Sequence, residues 1–100
     1  FWLHPHKDIS VKKLSLLVYL SQAPEGEDWG TDIFSGPKEE DYFGPTPHRR
    51  NRALVFVPGT DTWHGFRRKP ITGVRQTLIV NYVGDDWNNT HELAFPGQPV

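Results

Sequence analysis

One hundred residues leave room for a single small domain spanning residues 1–100, which buries only a modest share of its surface. Hydrophobic residues make up 36% and charged residues 23% of the chain, an ordinary globular balance that excludes the disordered class. Without cysteine, disulfide scaffolds, thiolate metal sites and cysteine nucleophiles are excluded too, so any metal must be held by His and carboxylates.

A net charge of -1 gives no global attraction to nucleic acid or to an anionic membrane. Arg49, Arg50 and Arg52, and then Arg67, Arg68 and Lys69, cluster locally and read as solvated loops. No apolar run approaches the roughly 18 residues of a membrane span, and no basic-then-apolar leader opens the chain, so a soluble, cytoplasmic protein is expected. Because the chain begins at Phe1 and holds no Met, it reads as a piece of a longer protein or a trimmed one.

In chain order, Trp2 to Asp8 is a weak strand candidate, and Lys13 to Ser21 (K-L-S-L-L-V-Y-L-S) is the clearest strand. Its uniformly apolar character predicts burial on both faces. Thr31 to Phe34 is a second weak candidate. Ser35 to Arg52 contains Gly36, Pro37, Gly44, Pro45 and Pro47 with much charge, and is expected to be a long loop and not a strand pair. Ala53 to Val57, closed by Pro58-Gly59, is a strand with its turn. Thr62 to Phe66 is weaker, and Val74 to Val83 is a third clear strand. Asp85 to Leu93 is expected to form one short helix. Many short strands with Gly/Pro turns predict an all-β domain, an antiparallel sandwich or barrel of which the jelly-roll is one form.

His6 and Asp8 flank Lys7, and on an extended segment positions two apart share a face. Alone, His-x-Asp is a common chance pattern. His64, after a strand and a Pro-Gly turn, can add a third donor from a neighbouring strand; two His and one carboxylate on one face of an octahedron suit non-haem iron(II). Arg75 lies eleven positions later and two before Thr77. An arginine directed inward with a hydroxyl on the same face makes a bidentate carboxylate site, although a structural carboxylate partner or a solvent face would serve Arg75 equally well.

Taken together, His6-x-Asp8, the distant His64 and Arg75-x-Thr77 resemble the signature of the iron(II)/2-oxoglutarate-dependent dioxygenase superfamily, in its prolyl-hydroxylase-like branch. Leu14 to Ser21 looks like that branch's second core strand, and Trp29-Gly30-Thr31-Asp32-Ile33-Phe34 resembles its Gly-Gly-Thr-x-Phe strand, with Trp29 where the first glycine is usual. The resemblance covers about Leu3 to Val83, the later part of a typical family domain. It implies a double-stranded β-helix (jelly-roll, cupin-like) incomplete at its N-terminus. It also implies Fe(II) on His6, Asp8 and His64, and 2-oxoglutarate with its far carboxylate on Arg75, Thr77 and Tyr19. The implied reaction is hydroxylation of an unknown substrate, a small molecule or a protein residue, by O2 with oxidative decarboxylation of 2-oxoglutarate to succinate. An open sheet edge and a bare apolar face invite pairing, so a homodimer belongs to the same expectation.

Two alternatives stand beside it. His4-x-His6 with a later His resembles the cupin metal site, which would make the chain a metal-binding enzyme that does not use 2-oxoglutarate; Val11-Lys12-Lys13 stands where a cupin Glu is expected. A non-catalytic remnant or binding module of the same fold is the other. His4 is expected to face the same way as His6 and support it, and Asn81 to share a face with Arg75 and Thr77. Trp63 is expected to pack on the face opposite His64, and His48 and His91 to lie on the surface. Asn88-Asn89-Thr90 is a glycosylation sequon of little weight without a leader.

Overall fold

A computed structural model describes residues 2–88. Its strands are β1 (Leu3–His6), β2 (Lys12–Tyr19), β3 (Asp32–Phe34), β4 (Tyr42–Pro45), β5 (Ala53–Phe56), β6 (His64–Phe66) and β7 (Thr77–Val83). They form two antiparallel sheets, one ordered β1-β6-β3-β4 and the other β5-β2-β7. The described residues are all-β: one 3-10 turn among them, at Glu39–Asp41, interrupts the strands, and none of their helices is long and apolar enough to cross a membrane.

β2 is the spine of the second sheet because its β-branched and apolar residues suit the centre of a ladder. Alternation sends Ser15, Leu17 and Tyr19 toward the first sheet. Their cross-strand partners are Phe56 and Asn81 for Ser15, Leu54 and Ile79 for Leu17, and Thr77 for Tyr19. The opposite face of β2 carries Leu14, Leu16 and Val18, flanked by Val55, Leu78, Val80 and Tyr82. Here burial on both faces does not hold. Ser15 and Tyr19 are buried, whereas Val55, Leu78 and Tyr82 are more than half exposed.

The core gathers where the sheets meet, around Tyr19, Trp29, Phe34 and Phe66. Across the gap, the Tyr19 hydroxyl bonds the Thr31 hydroxyl at 2.9 Å and the Thr46 hydroxyl at 3.1 Å, tying β2 to the first sheet. Asp32 is wholly buried, accepting from the Arg67 N–H at 2.7 Å and from Lys69 Nζ, so its charge is compensated where water cannot reach it. Gly30 is required by close approach, since a Cβ there would sit 1.9 Å from the Thr46 carbonyl oxygen.

Three expected elements differ. The segment expected to be a loop between Ser35 and Arg52 contains β4, which pairs with β3. Gly44 and Pro45 have poor strand propensity, but β4 is an edge strand, where a missing N–H is tolerated. The strand expected from Val74 begins at Thr77, because the Gln76 N–H turns aside to Ser21 Oγ at 3.0 Å and Val74 stays exposed. At the end, Asp85 and Asp86 form a turn closed by Trp87 N–H on the Gly84 carbonyl and not the start of a helix. The remainder of that expected helix, with His91 and the Asn89-Thr90 part of the sequon, lies outside the described residues.

Candidate functional site

β1 and β6 are neighbours in the first sheet, and their register sets His6 directly opposite His64. The imidazole centroids are 4.5 Å apart. Asp8 follows the end of β1 and turns back, so that donor atoms of His6, Asp8 and His64 all lie within 4.8 Å of one another. His64 Nε2 is 3.8 Å from Asp8 Oδ1. Ligands on one face of an octahedron at about 2.1 Å from a metal stand about 3 Å apart, so the three donors stand somewhat wider than a metal-bound set. Among the described residues this is the one group of three His or carboxylate donors so disposed.

Each ring is prepared for ligation by a backbone carbonyl. His6 Nδ1–H donates to the His4 carbonyl at 2.9 Å, and His64 Nδ1–H donates to the Thr62 carbonyl at 2.8 Å. A carbonyl can only accept, which puts the proton on Nδ1 and leaves the Nε2 lone pair free to bind a metal. Asp8 is held by Ser15 Oγ at 3.3 Å on Oδ2 and by Lys12 Nζ at 3.8 Å on Oδ1. Burial holds the His64 pKa below its ordinary value, with His6 and Lys12 acting the same way and the Thr62 carbonyl and Asp8 opposing. His64 is therefore neutral at neutral pH, as a ligand must be.

The triad lines a cavity of about 260 Å³ between the sheets, and Arg75, Thr77, Thr31, Phe56 and Phe66 line the same cavity. Arg75 precedes β7 instead of standing within a strand, yet it reaches the cavity with Thr77. Its Nε donates to the Trp29 carbonyl at 2.8 Å, and its guanidinium carbon lies 4.7 Å from the Phe66 ring and 5.7 Å from the Tyr19 ring. No carboxylate among the described residues pairs with it. Burial lowers its pKa, opposed by Tyr19 and Asp32, but an arginine stays charged. The Thr77 hydroxyl is buried without a hydrogen-bond partner. A cation with free donors beside an orphaned hydroxyl fits an incoming carboxylate.

The other expected residues fall differently. Tyr19 does not line the cavity; its ring lies beneath the guanidinium, while its hydroxyl is engaged by Thr31 and Thr46. Asn81 does line it, accepting from Ser15 Oγ at 2.9 Å. The His4 ring does not support His6: a register shift within β1 breaks the alternation, and the ring turns to solvent against Glu39 and Trp2. Only the His4 carbonyl serves the site. His48 is half-buried and not a fully exposed residue: its ring packs at a tilt against Tyr19, centroids 4.5 Å apart, with both nitrogens buried and unpartnered. Burial lowers its pKa, reinforced by Arg75 and opposed by Asp28. Lys12, Ser15 and Thr31 went unpredicted; alternation from Tyr19 back to Ser15 was the one available signal.

No protein-family model, curated protein or solved structure matches this chain.

Proposed function

We propose that this chain is the catalytic core of an iron(II)- and 2-oxoglutarate-dependent oxygenase, built as a double-stranded β-helix of the jelly-roll kind. The observation that carries this is the shared cavity: two imidazoles with free Nε2 atoms and a carboxylate at one end, and an unpaired guanidinium with an orphaned hydroxyl at the other. The donor set of two nitrogens and one carboxylate suits iron(II) and leaves coordination positions for a chelating co-substrate. His64 and Phe66 are alternate residues of β6, about 7 Å apart along the strand, and Arg75 lies over Phe66. That separation supports a short dicarboxylate.

His6, Asp8 and His64 would hold the metal, with Ser15 and Lys12 fixing Asp8. Arg75 and Thr77 would bind and orient the far carboxylate, Thr77 by donating its O–H. Leu17, Phe56 and Phe66 would exclude water from the space between. Iron and 2-oxoglutarate, when bound, supply O2 activation coupled to decarboxylation to succinate and hydroxylation of a substrate C–H bond.

The test is anaerobic addition of iron(II) and then 2-oxoglutarate, followed by the charge-transfer absorption of a chelated 2-keto acid and by succinate formation in air. The proposal requires both signals in the native chain. It also requires Arg75→Ala to lose 2-oxoglutarate binding while keeping iron. A cupin-type enzyme would keep its metal and be indifferent to Arg75→Ala, and a binding module would yield no succinate.

A further inference from the structure

Behind His64 lies a second recess of about 260 Å³, lined by Ile33, Leu54, Phe56, Asp61, Thr62, Trp63 and His64. It shares Phe56 and His64 with the metal cavity, and those two rings meet edge to face at 5.0 Å, so one ring pair divides the two spaces. Apart from His64, Asp61 and Thr62, the residues that line it are aliphatic or aromatic. An apolar cavity of about 150 Å³ is enough to take up benzene, so this recess accommodates a six-membered ring or a branched aliphatic group.

Its rim is polar on one side. The Thr62 hydroxyl is used by its own turn, accepting from the Gly59 N–H at 3.0 Å and donating to the Gly59 carbonyl. That leaves the Asp61 carboxylate, which is exposed and engaged by no hydrogen bond or ion pair among the described residues. Lys7 carries its ammonium over the Trp63 ring, 4.9 Å from the centroid, and not onto Asp61. The indole thus already attracts a cation, as expected from its π face.

We infer that this recess receives an apolar group attached to a cationic nitrogen, with the hydrocarbon between Leu54, Phe56 and Trp63 and the ammonium on Asp61. The inference goes beyond the proposed oxygenase function and gives the molecule no part in that reaction, since the His64 and Phe56 rings stand between it and the metal cavity. Binding itself rests only on the recess and its carboxylate.

The test uses the full chain and three probes of one size: 2-phenylethylamine, 2-phenylethanol and phenylacetate. Binding is read from the Trp63 indole N–H resonance, assigned by its disappearance in Trp63→Phe. The amine is expected to bind about five-fold tighter than the alcohol, the scale of one partly exposed charge pair, and phenylacetate weakest. Asp61→Asn, an exposed change that leaves the walls intact, should equalise amine and alcohol while ring binding persists. Equal affinity for all three probes, an amine preference that survives Asp61→Asn, or no shift of the Trp63 resonance would overturn the inference.

Amine binding with no iron or 2-oxoglutarate binding would leave this inference standing and overturn the oxygenase function; iron and 2-oxoglutarate binding with no amine preference would do the reverse.

Discussion

His6 and His64 face each other across the β1–β6 ladder, and each gives its Nδ1 proton to the carbonyl of the residue two before it. The same local device therefore sets the same tautomer on both rings, and neither orientation depends on a long side chain elsewhere. The third donor is different. Asp8 sits past the end of β1 and is positioned by Ser15 and Lys12 from the opposite sheet.

Ser15→Ala is accordingly expected to leave the fold intact and to weaken divalent-metal binding by about ten-fold or more, the usual effect of removing a hydrogen bond to a metal ligand. His64→Ala should abolish tight binding. Calorimetric titration with iron(II) under nitrogen, or with cobalt(II), checks both; equal affinity of Ser15→Ala and the native chain would show that Asp8 needs no such support.

Arg75→Lys is not a conservative change. The lysine ammonium cannot both hold the Trp29 carbonyl and present a planar pair of donors to a carboxylate. Affinity for 2-oxoglutarate should fall by about ten-fold or more with metal affinity unchanged, measured by competition against the native chain. Thr77→Val removes the orphaned hydroxyl and is expected to preserve or raise stability while weakening 2-oxoglutarate, because a buried unpaired group is costly to the empty fold.

The pH dependence of the metal-free fold follows from two histidines whose pKa values burial lowers, His64 and His48. In the unfolded chain each titrates near 6.5. As pH falls through that value the unfolded state takes up protons first, so stability is complete above it and declines until the lowered folded values are reached. Denaturant midpoints should therefore drop below about pH 6.5, and the drop should shrink, without vanishing, in His64→Gln. A midpoint that rises on acidification would contradict the burial of both rings.

Lys69→Met should be among the most destabilising single changes at a charged position. It strips the ammonium from Asp32, which has no solvent exposure and would retain only the Arg67 N–H. A cost of about 3 kcal/mol is expected from leaving a buried carboxylate uncompensated. Asp32→Asn with Lys69→Met together should recover part of it, as read from urea denaturation.

Strand positions were largely legible in the sequence where side chains alone decide them. β2, β5 and β7 announced themselves through β-branched and apolar runs, and the His6, Asp8, His64 grouping through spacing and order. What escaped was decided by partners distant in the chain. Gly44 and Pro45 become strand because β3 offers them a ladder. His48 looks like an exposed loop residue until Tyr19 receives its ring. Arg75 reaches the cavity from outside β7, since Ser21 captures the backbone at Gln76. The Leu14, Leu16 and Val18 face shows the opposite limit: residues composed for an interior stand partly in water because apolar character does not say what will cover them.

The Tyr19 to Thr31 bond and the Ser15 to Asp8 bond both cross the gap between the sheets, one at each end of the cavity. Any small molecule lodged between His64 and Arg75 would press on both layers at once and act as a rivet through the seam. Thermal melting should then report occupancy directly, with the transition climbing in proportion to the logarithm of ligand concentration. Whatever pries the layers apart would part His6, Asp8 and His64 from Arg75 and Thr77 before it unravelled either ladder.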